Sequence, residues 1–349
     1  MRILRIATLV IYAALSLWSA SCERPRPEVV LYTSCDDYLL REIIPAFEKE
    51  SGITVRLAGD TEATKTTGLV QRLLAEKDHP RADVWWSNEA FGTMRLADEG
   101  LFAPFKPRAL ADEFNNEWPL GLRASDDTWY GFALRARVIV YNTARLANAP
   151  TRLADLADPR FRGRIGMARP QFGTTRGHMG AILAACGEDA FRRWLVGLKA
   201  NDLRLYDGNS AVVRAVAHGE IDAGLTDSDD VFVGLREKWP VAMIMESSAA
   251  TAAPATLCVV GPCPIPNTVA IVKNAPHPDS AAKLAEFLLG ARVERVLTES
   301  ESRNSPVRPS ISHVEAIPLQ QMALQAPNLQ AVHAAIPAAM KVCTEVLGD

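Results

Sequence analysis

Acidic side chains recur in this chain where predicted strands end. They fall in three short segments: Ser34 and Asp36; Glu89; and Asp227, Asp229 and Asp230. Carboxylate oxygens are hard ligands, so a converging set suits a hard metal cation or an organic cation. Asp and Ser are also favoured as helix caps, so each residue taken alone predicts only a cap. Their recurrence at three strand ends predicts a cation site.

A second group of residues suits an anion. Small hydroxyl residues and glycine precede predicted helices at 61–68, at Gly173, Thr174 and Thr175, and around Asn209. Such helix starts expose backbone N–H groups that bind anionic oxygens, although ordinary caps look alike. Arg135 and Arg137 flank the start of a predicted strand, where they would anchor an anion or form a salt bridge between domains.

The elements that must position these residues alternate between strand and helix. Apolar runs predict strands at 29–33, 53–57, 82–86, 138–141, 165–168, 221–225 and 268–272. Apolar residues at helical spacing lie between most of them, as at Leu39, Leu40, Ile43, Ile44 and Phe47. This order predicts an α/β fold with mainly parallel sheets covered on both faces. In such sheets ligands bind outside the carboxyl ends of the strands.

The N-terminus has the layout of an export signal. Arg2 and Arg5 precede an apolar stretch at 6–18, and small residues then lead to Cys22. We expect residues 1–21 to be a signal segment, Cys22 to carry lipid and residues 22–28 to form a tether. Export would place the protein in the periplasm or on the outer side of the inner membrane as a lipoprotein. Further along, Cys258 and Cys263 flank a turn, where they form either a disulfide or two separate thiols.

Composition excludes several classes of protein. The chain has 349 residues, 48% of them hydrophobic and 23% charged, with a net charge of −3. These values exclude intrinsic disorder, disfavour nucleic-acid binding and predict two domains. GxSxG, HExxH and P-loop motifs are absent from the sequence, and His178 has no nucleophile beside it. We therefore predict no catalytic residue and no resident cofactor.

Several segments together resemble a known family. They are 29–34 with 43–53, 82–89, 219–225, and 266–271 leading into 275–278. These segments resemble bacterial periplasmic solute-binding proteins of ABC importers, of the two-lobed type 2, and most closely the ferric-ion-binding branch. The resemblance implies two α/β lobes, one of 29–128 with 245–310 and the other of 129–244 with 311–349. A ligand would bind between them, the lobes would close, and the monomer would dock on a permease and its ATPase.

The resemblance also implies a ligand set. The branch holds iron with a histidine, a glutamate and two adjacent tyrosines, and a bound anion such as phosphate or carbonate completes the shell. Asp36 stands at the histidine position, Glu89 at the glutamate, and Asp229 and Asp230 at the tyrosines. The anion loops match Gly173, Thr174, Thr175 and Asn209, with Arg135 nearby. Because the phenolates are missing, the implied metal set is Asp36, Glu89, Asp229 and Asp230, for ferric iron or another hard metal.

The sequence therefore predicts a substrate-binding component of an ABC importer that captures a metal cation, with or without an accompanying anion. Two ligands remain open within this class: a polyamine-like organic cation and an oxyanion. A carboxylate-based hydrolase is the alternative from another class, since paired carboxylates also serve acid–base chemistry. A sensor or structural lipoprotein that keeps the binding fold is a third.

Overall fold

The computed structural model describes residues 26–59, 67–246, 257–312, 315–318 and 328–348. The predicted signal segment, Cys22 and residues 61–66 of the first hydroxyl-rich segment lie outside these described residues. Among the helices that are described, none is both long and apolar enough to cross a membrane.

The described strands join into one mixed sheet. They are β1 (Glu28–Thr33), β2 (Thr54–Gly59), β3 (Val84–Ser87), β4 (Phe102–Ala103), β5 (Trp129–Asn142), β6 (Ile165–Ala168), β7 (Arg204–Tyr206), β8 (Ala223–Asp227), β9 (Val241–Ile244) and β10 (Pro264–Val272). The main path runs β2-β1-β3-β10-β5-β8-β6-β7, with β4 paired to β10 and β9 paired to β5. The outer pairs are parallel, whereas β5 and β10 run antiparallel to their neighbours.

Helices connect these strands. They are α1 (Asp37–Ser51), α2 (Thr67–Ala75), α3 (Ala90–Asp98), α4 (Arg108–Asp112), α5 (Gly173–Cys186), α6 (Glu188–Ala200), α7 (Asn209–Ala217), α8 (Ser228–Arg236), α9 (Pro278–Leu288), α10 (Ala291–Glu299) and α11 (Leu329–Leu347). Helix α1 forms as its sequence pattern predicts, because its five apolar residues lie on one buried face. It ends at Gly52, whose φ of 72° is the left-handed conformation that glycine adopts without strain.

Strand β5 passes from one half of the sheet to the other. Residues 129–136 pair with β10, and residues 137–142 pair with β8 and β9. Within β5, Ala133 has a φ of 44°, beside a register shift between Pro266 and Asn267 of β10. The Asn267 side chain donates a 2.6 Å hydrogen bond to the Ala133 carbonyl, which holds this kink. Arg135 and Arg137 therefore lie where the chain crosses between the two halves.

One apolar core extends across both halves, and a second lies within the β6 half. Phe47 and Leu284 belong to the first core, which continues to Val212 in the β6 half, whereas Met167 and Trp194 belong to the second. The C-terminal helix α11 packs on α5 and α6, in the β6 half. The lobe boundaries given above remain a prediction.

The structure corrects the cysteine pairing. Cys258 forms a disulfide with Cys186 at the end of α5, and Cys263 is instead a buried thiol. Spacing offered Cys263 as one possible partner because only five positions separate it from Cys258, whereas Cys186 is 72 positions away. The disulfide thus fastens the segment that leads into β10 to a helix of the β6 half.

Loss of this disulfide is expected to destabilise the protein. A 72-residue loop is long, and cross-links of long loops typically contribute about 2–4 kcal/mol by restricting the unfolded chain. We expect the Cys186→Ser/Cys258→Ser variant to unfold at lower denaturant concentration by that amount. Cys263→Ser serves as the comparison, because it removes a buried thiol without removing a cross-link. Equal stability of wild type and the double variant in oxidising buffer would contradict the prediction.

Candidate functional site

Three aspartates converge where β8 passes into α8. Asp227 is the last residue of β8, and Asp229 and Asp230 lie in the first turn of α8. One carboxylate oxygen from each lies within 4.8 Å of the others, a spacing that could hold a metal ion. Asp227 and Asp229 are buried, and Asp230 is half-buried. Their proximity follows from the geometry of one strand–helix junction.

Arg135 is the counter-ion of this cluster. Its Nη1 donates to Asp229 Oδ2 at 3.2 Å, and its Nη2 lies 3.8 Å from Asp227 Oδ2. Nη2 also donates to the Asn88 carbonyl at 2.6 Å. Burial acts to lower the pKa of Arg135, but Asp229, Asp227, Asp36 and Asp230 together raise it above its ordinary value. Arg135 therefore stays charged. All four carboxylates, including that of Asp36, interact electrostatically with its guanidinium.

A second buried arginine fixes Asp227. Arg137 Nη1 donates to Asp227 Oδ1 at 2.6 Å and to Asn209 Oδ1 at 3.0 Å. Thr174 Oγ1 donates to Asp227 Oδ2 at 2.8 Å, and Asn209 Nδ2 donates to the same oxygen at 3.1 Å. These bonds join the acidic cluster to the hydroxyl-rich loops. Asp227 therefore organises the site, and its oxygens are already occupied by protein donors.

Three helices present their first turns to one cavity. Its lining includes Gly173, Thr174 and Thr175 of α5, Asn209 and Ser210 of α7, and Asp229 and Asp230 of α8. Helix N-termini carry a partial positive charge and exposed N–H groups, which attract anions. Thr175 is 1% exposed, and its Oγ1 has no hydrogen-bond partner among the described residues. The predicted anion loops thus do meet the acidic cluster at one place.

The cavity has a volume of about 340 Å³. Asp36 and Tyr38 line it from the β1 half, and Val213, Val233 and Trp239 give it an apolar end. Tyr38 is 40% exposed, and partial burial, with Asp36 and Asp229 nearby, raises its pKa to about 12 despite a hydrogen bond with Ser302 that acts the other way. Tyr38 is therefore a neutral phenol at pH 7. Sequence reasoning missed Tyr38 and Trp239, although Tyr38 lies only two positions after Asp36.

Glu89 and Ser34 differ from their predicted roles. The Glu89 carboxylate caps α3, accepting from Phe91 N at 2.6 Å and Gly92 N at 2.8 Å, so both its oxygens are occupied. It lines a separate cavity of about 20 Å³ with Arg95 and Arg176, and burial raises its pKa. Ser34 Oγ bonds to the Asn88 side chain at 3.0 Å and so positions the loop whose carbonyl holds Arg135. Neither residue lines the main cavity.

The sequence of this chain is similar to those of known binding proteins. Residues 82–324 match the model of a family described as bacterial extracellular solute-binding protein. An Fe(3+)-binding periplasmic protein of Serratia marcescens is 33% identical over 201 residues, which are 56% of this chain and 56% of that protein. The chain thus spans about half the length of that relative. The major ferric iron-binding protein of Neisseria gonorrhoeae is 26% identical over 93% of this chain and 94% of its own length.

The fold has a solved counterpart. Iron-bound HitA from Pseudomonas aeruginosa superimposes with a TM-score of 0.80 at 22% identity, over 92% of this chain and 99% of that one. At this identity the likeness shows the fold alone. It supports the two-lobed α/β architecture expected from the strand order.

Proposed function

We propose, from the premise that this chain belongs to the bacterial extracellular solute-binding protein family, that its cleft captures a hard metal cation for import. The family and its relatives bind solutes for transport and are not enzymes, so the hydrolase alternative is set aside. The family supplies substrate to ABC importers, and the partners of the chain are a small ligand and a membrane permease. Ferric iron is the ligand that the relatives' names give.

The observation that carries the proposal is the approach of the Asp229 and Asp230 carboxylates to within 4.8 Å of each other, with Asp227 at the same spacing behind them. Asp36 faces them from the other half of the cleft and contributes to the same field at Arg135. Asp36, Asp229 and Asp230 would bind the ion, and Asp227 would hold the network behind them. Glu89 is left out of this set because its oxygens cap α3. Carboxylate oxygens in this number suit a hard ion.

The hydroxyl-rich loops would hold an accompanying anion such as phosphate or carbonate. Gly173, Thr174, Thr175 and Asn209 form one wall of the cavity, beside the three aspartates. The Thr175 hydroxyl is the clearest donor for such an anion, because it is buried and lacks a protein partner among the described residues. Arg135 would contribute positive charge from behind.

The Thr175→Val variant is expected to lose anion-assisted binding. Valine keeps the shape of threonine but cannot donate, so phosphate should enhance metal affinity about tenfold less than in wild type, the worth of one hydrogen bond. The measurement is metal affinity by calorimetry with and without phosphate. Affinity in chloride alone is the internal control and should not change. An unchanged phosphate effect would contradict the role of Thr175.

Capture would use motion of the lobes about the crossing strands. We propose the lobes as 29–128 with 245–310 and 129–244 with 311–349, and β5, the first strand of the second lobe, pairs with strands of both. A ligand that contacts Asp36 on one side and Asp229 and Asp230 on the other favours the closed state. The closed form would dock on the permease. Lipid on Cys22 would tether the protein at the outer side of the inner membrane.

An organic cation is the second candidate ligand. Val213, Val233 and Trp239 give the cavity an apolar end that a bare ion does not use. An amine with a short carbon chain would place its charge at the aspartates and its chain against Trp239.

Thermal shift of the purified, metal-stripped protein tests these candidates together. Ligands are metal ions with and without phosphate or carbonate, and polyamines. A ligand at 100 times its dissociation constant adds about 2.7 kcal/mol of stability. A shift with metal ions supports the proposal. A shift with polyamines or a free oxyanion, and none with metal, would overturn it.

A further inference from the structure

We propose that Arg135 is a specificity residue that biases the cleft toward divalent cations and away from trivalent ones. The inference rests on the proposed function, since it concerns the same carboxylates. It names the substrate class as a divalent hard cation. It departs from the ferric iron named for the relatives.

Two buried arginines offset half of the negative charge of the cluster. Asp36, Asp227, Asp229 and Asp230 supply four negative charges. Arg135 lies between Asp227 and Asp229, and Arg137 binds Asp227 directly. Both arginines are buried, at 6% and 4% exposure, so solvent screens them little. The buried cations thus cancel two of the four carboxylate charges where an ion would bind.

Arg135 cannot easily leave when an ion enters. Its two terminal nitrogens are held by Asp229 and by the Asn88 carbonyl, and Asn88 is itself fixed by Ser34. The positive charge is therefore a permanent part of the site. An entering cation would lie close to the Arg135 guanidinium, because both would contact Asp229.

The balance matters because attraction and dehydration depend differently on ionic charge. The attraction grows in proportion to the ion's charge and the net charge of the site. The cost of removing water grows with the square of the ion's charge in the Born description. Halving the site's net charge therefore reduces the attraction of a trivalent ion more than that of a divalent one. The absence of phenolate at Asp229 and Asp230 acts in the same direction.

A second observation marks the place as a ligand site. Thr175 Oγ1 is buried at the cavity wall with no hydrogen-bond partner among the described residues. A bound ligand or its water shell would satisfy this hydroxyl. A buried hydroxyl without a partner calls for an explanation, and a ligand bound beside the acidic cluster supplies one.

The test compares two ions of similar size and different charge, Ca²⁺ and Tb³⁺, in phosphate-free buffer. Terbium luminescence, sensitised by Trp239 and Tyr38 at the cavity wall, reports its binding, and Ca²⁺ is measured by competition. In Arg135→Gln the ratio of Tb³⁺ to Ca²⁺ affinity should rise about tenfold or more, because one compensating charge is gone. In Arg162→Gln, an exposed arginine paired with Asp202 outside the cavity lining, the ratio should change less than about twofold.

Asp230→Asn gives the opposite test and keeps the proposal open to refutation if Arg135→Gln does not fold. Asp230 is half-buried, so its loss threatens the fold less. The ratio should fall about threefold or more, whereas Asp202→Asn, at an exposed carboxylate outside the cavity lining, should leave it unchanged. A ratio unmoved by both Arg135→Gln and Asp230→Asn would overturn the inference while metal binding stands. No binding of either ion to the wild type would instead refute the proposed function.

Discussion

Replacing Asp229 and Asp230 together by alanine is expected to lower metal affinity about 100-fold or more, below detection in most assays. The two side chains supply two of the three carboxylates proposed to bind the ion. Without them, Arg135 lies beside Asp227 and Asp36 alone and the position becomes close to neutral. Calorimetric titration of the purified variant with the ion selected by thermal shift measures the effect.

Two further variants make this result interpretable. Asp207→Ala removes an exposed carboxylate from the rim of the same cavity and should bind within about twofold of wild type. Asp229→Asn/Asp230→Asn keeps the side-chain volume and the hydrogen bond to Arg135, so it guards against loss of folding. Undiminished affinity in both double variants would refute the carboxylate site.

Replacing Glu294 by leucine is expected to lower the free energy of unfolding by about 3–5 kcal/mol, the usual cost of breaking a buried ion pair. Glu294 and Arg308 are fully buried, and Glu294 Oε2 accepts from Arg308 Nη1 at 2.9 Å. Glu294 Oε1 also accepts from Val307 N at 2.6 Å and Ala133 N at 3.3 Å. The variant therefore leaves a buried guanidinium with Glu113 and two backbone donors without their acceptor.

Denaturant unfolding measures this loss. Glu299→Leu, an exposed change on the same helix α10, should stay within about 0.5 kcal/mol of wild type. Glu294 does not line the cavity, so the folded Glu294→Leu protein should keep its metal affinity. A stability equal to wild type would show that Arg308 finds full compensation elsewhere. Lost binding in the folded variant would show that the kink at Ala133 controls the cleft.

Local pattern predicted the α/β class, whereas the two-lobed architecture came from the resemblance to a family. Alternating apolar runs and helical spacing in segments such as β1 and α1 depend on neighbours within a few residues. The two-lobed architecture and its resemblance to ferric-ion-binding proteins are confirmed by the family match and the solved structures. The rule that ligands bind beyond the carboxyl ends of strands also selected Asp36, Asp229, Thr174 and Asn209, which line one cavity.

Long-range pairing could not be predicted in the same way. The Cys186–Cys258 disulfide joins residues 72 positions apart, and nothing in the local sequence marks the partner. Arg135 was recognised as an anion anchor or a salt bridge, but its partner Asp229 is 94 positions away. Glu89 illustrates the opposite difficulty. The same acidic residue after a strand serves as a ligand or as a cap, and only backbone geometry distinguishes the two.

The most direct test of the central claim is an anomalous-scattering map of crystals grown with Mn²⁺. The account predicts one strong peak inside the cleft, with oxygens of Asp36, Asp229 and Asp230 at about 2.0–2.6 Å, the range for hard cations. The Glu89 carboxylate would remain on the first turn of α3. A cleft without a peak, or a peak held by other side chains while these aspartates stay bound to protein donors, would contradict the account.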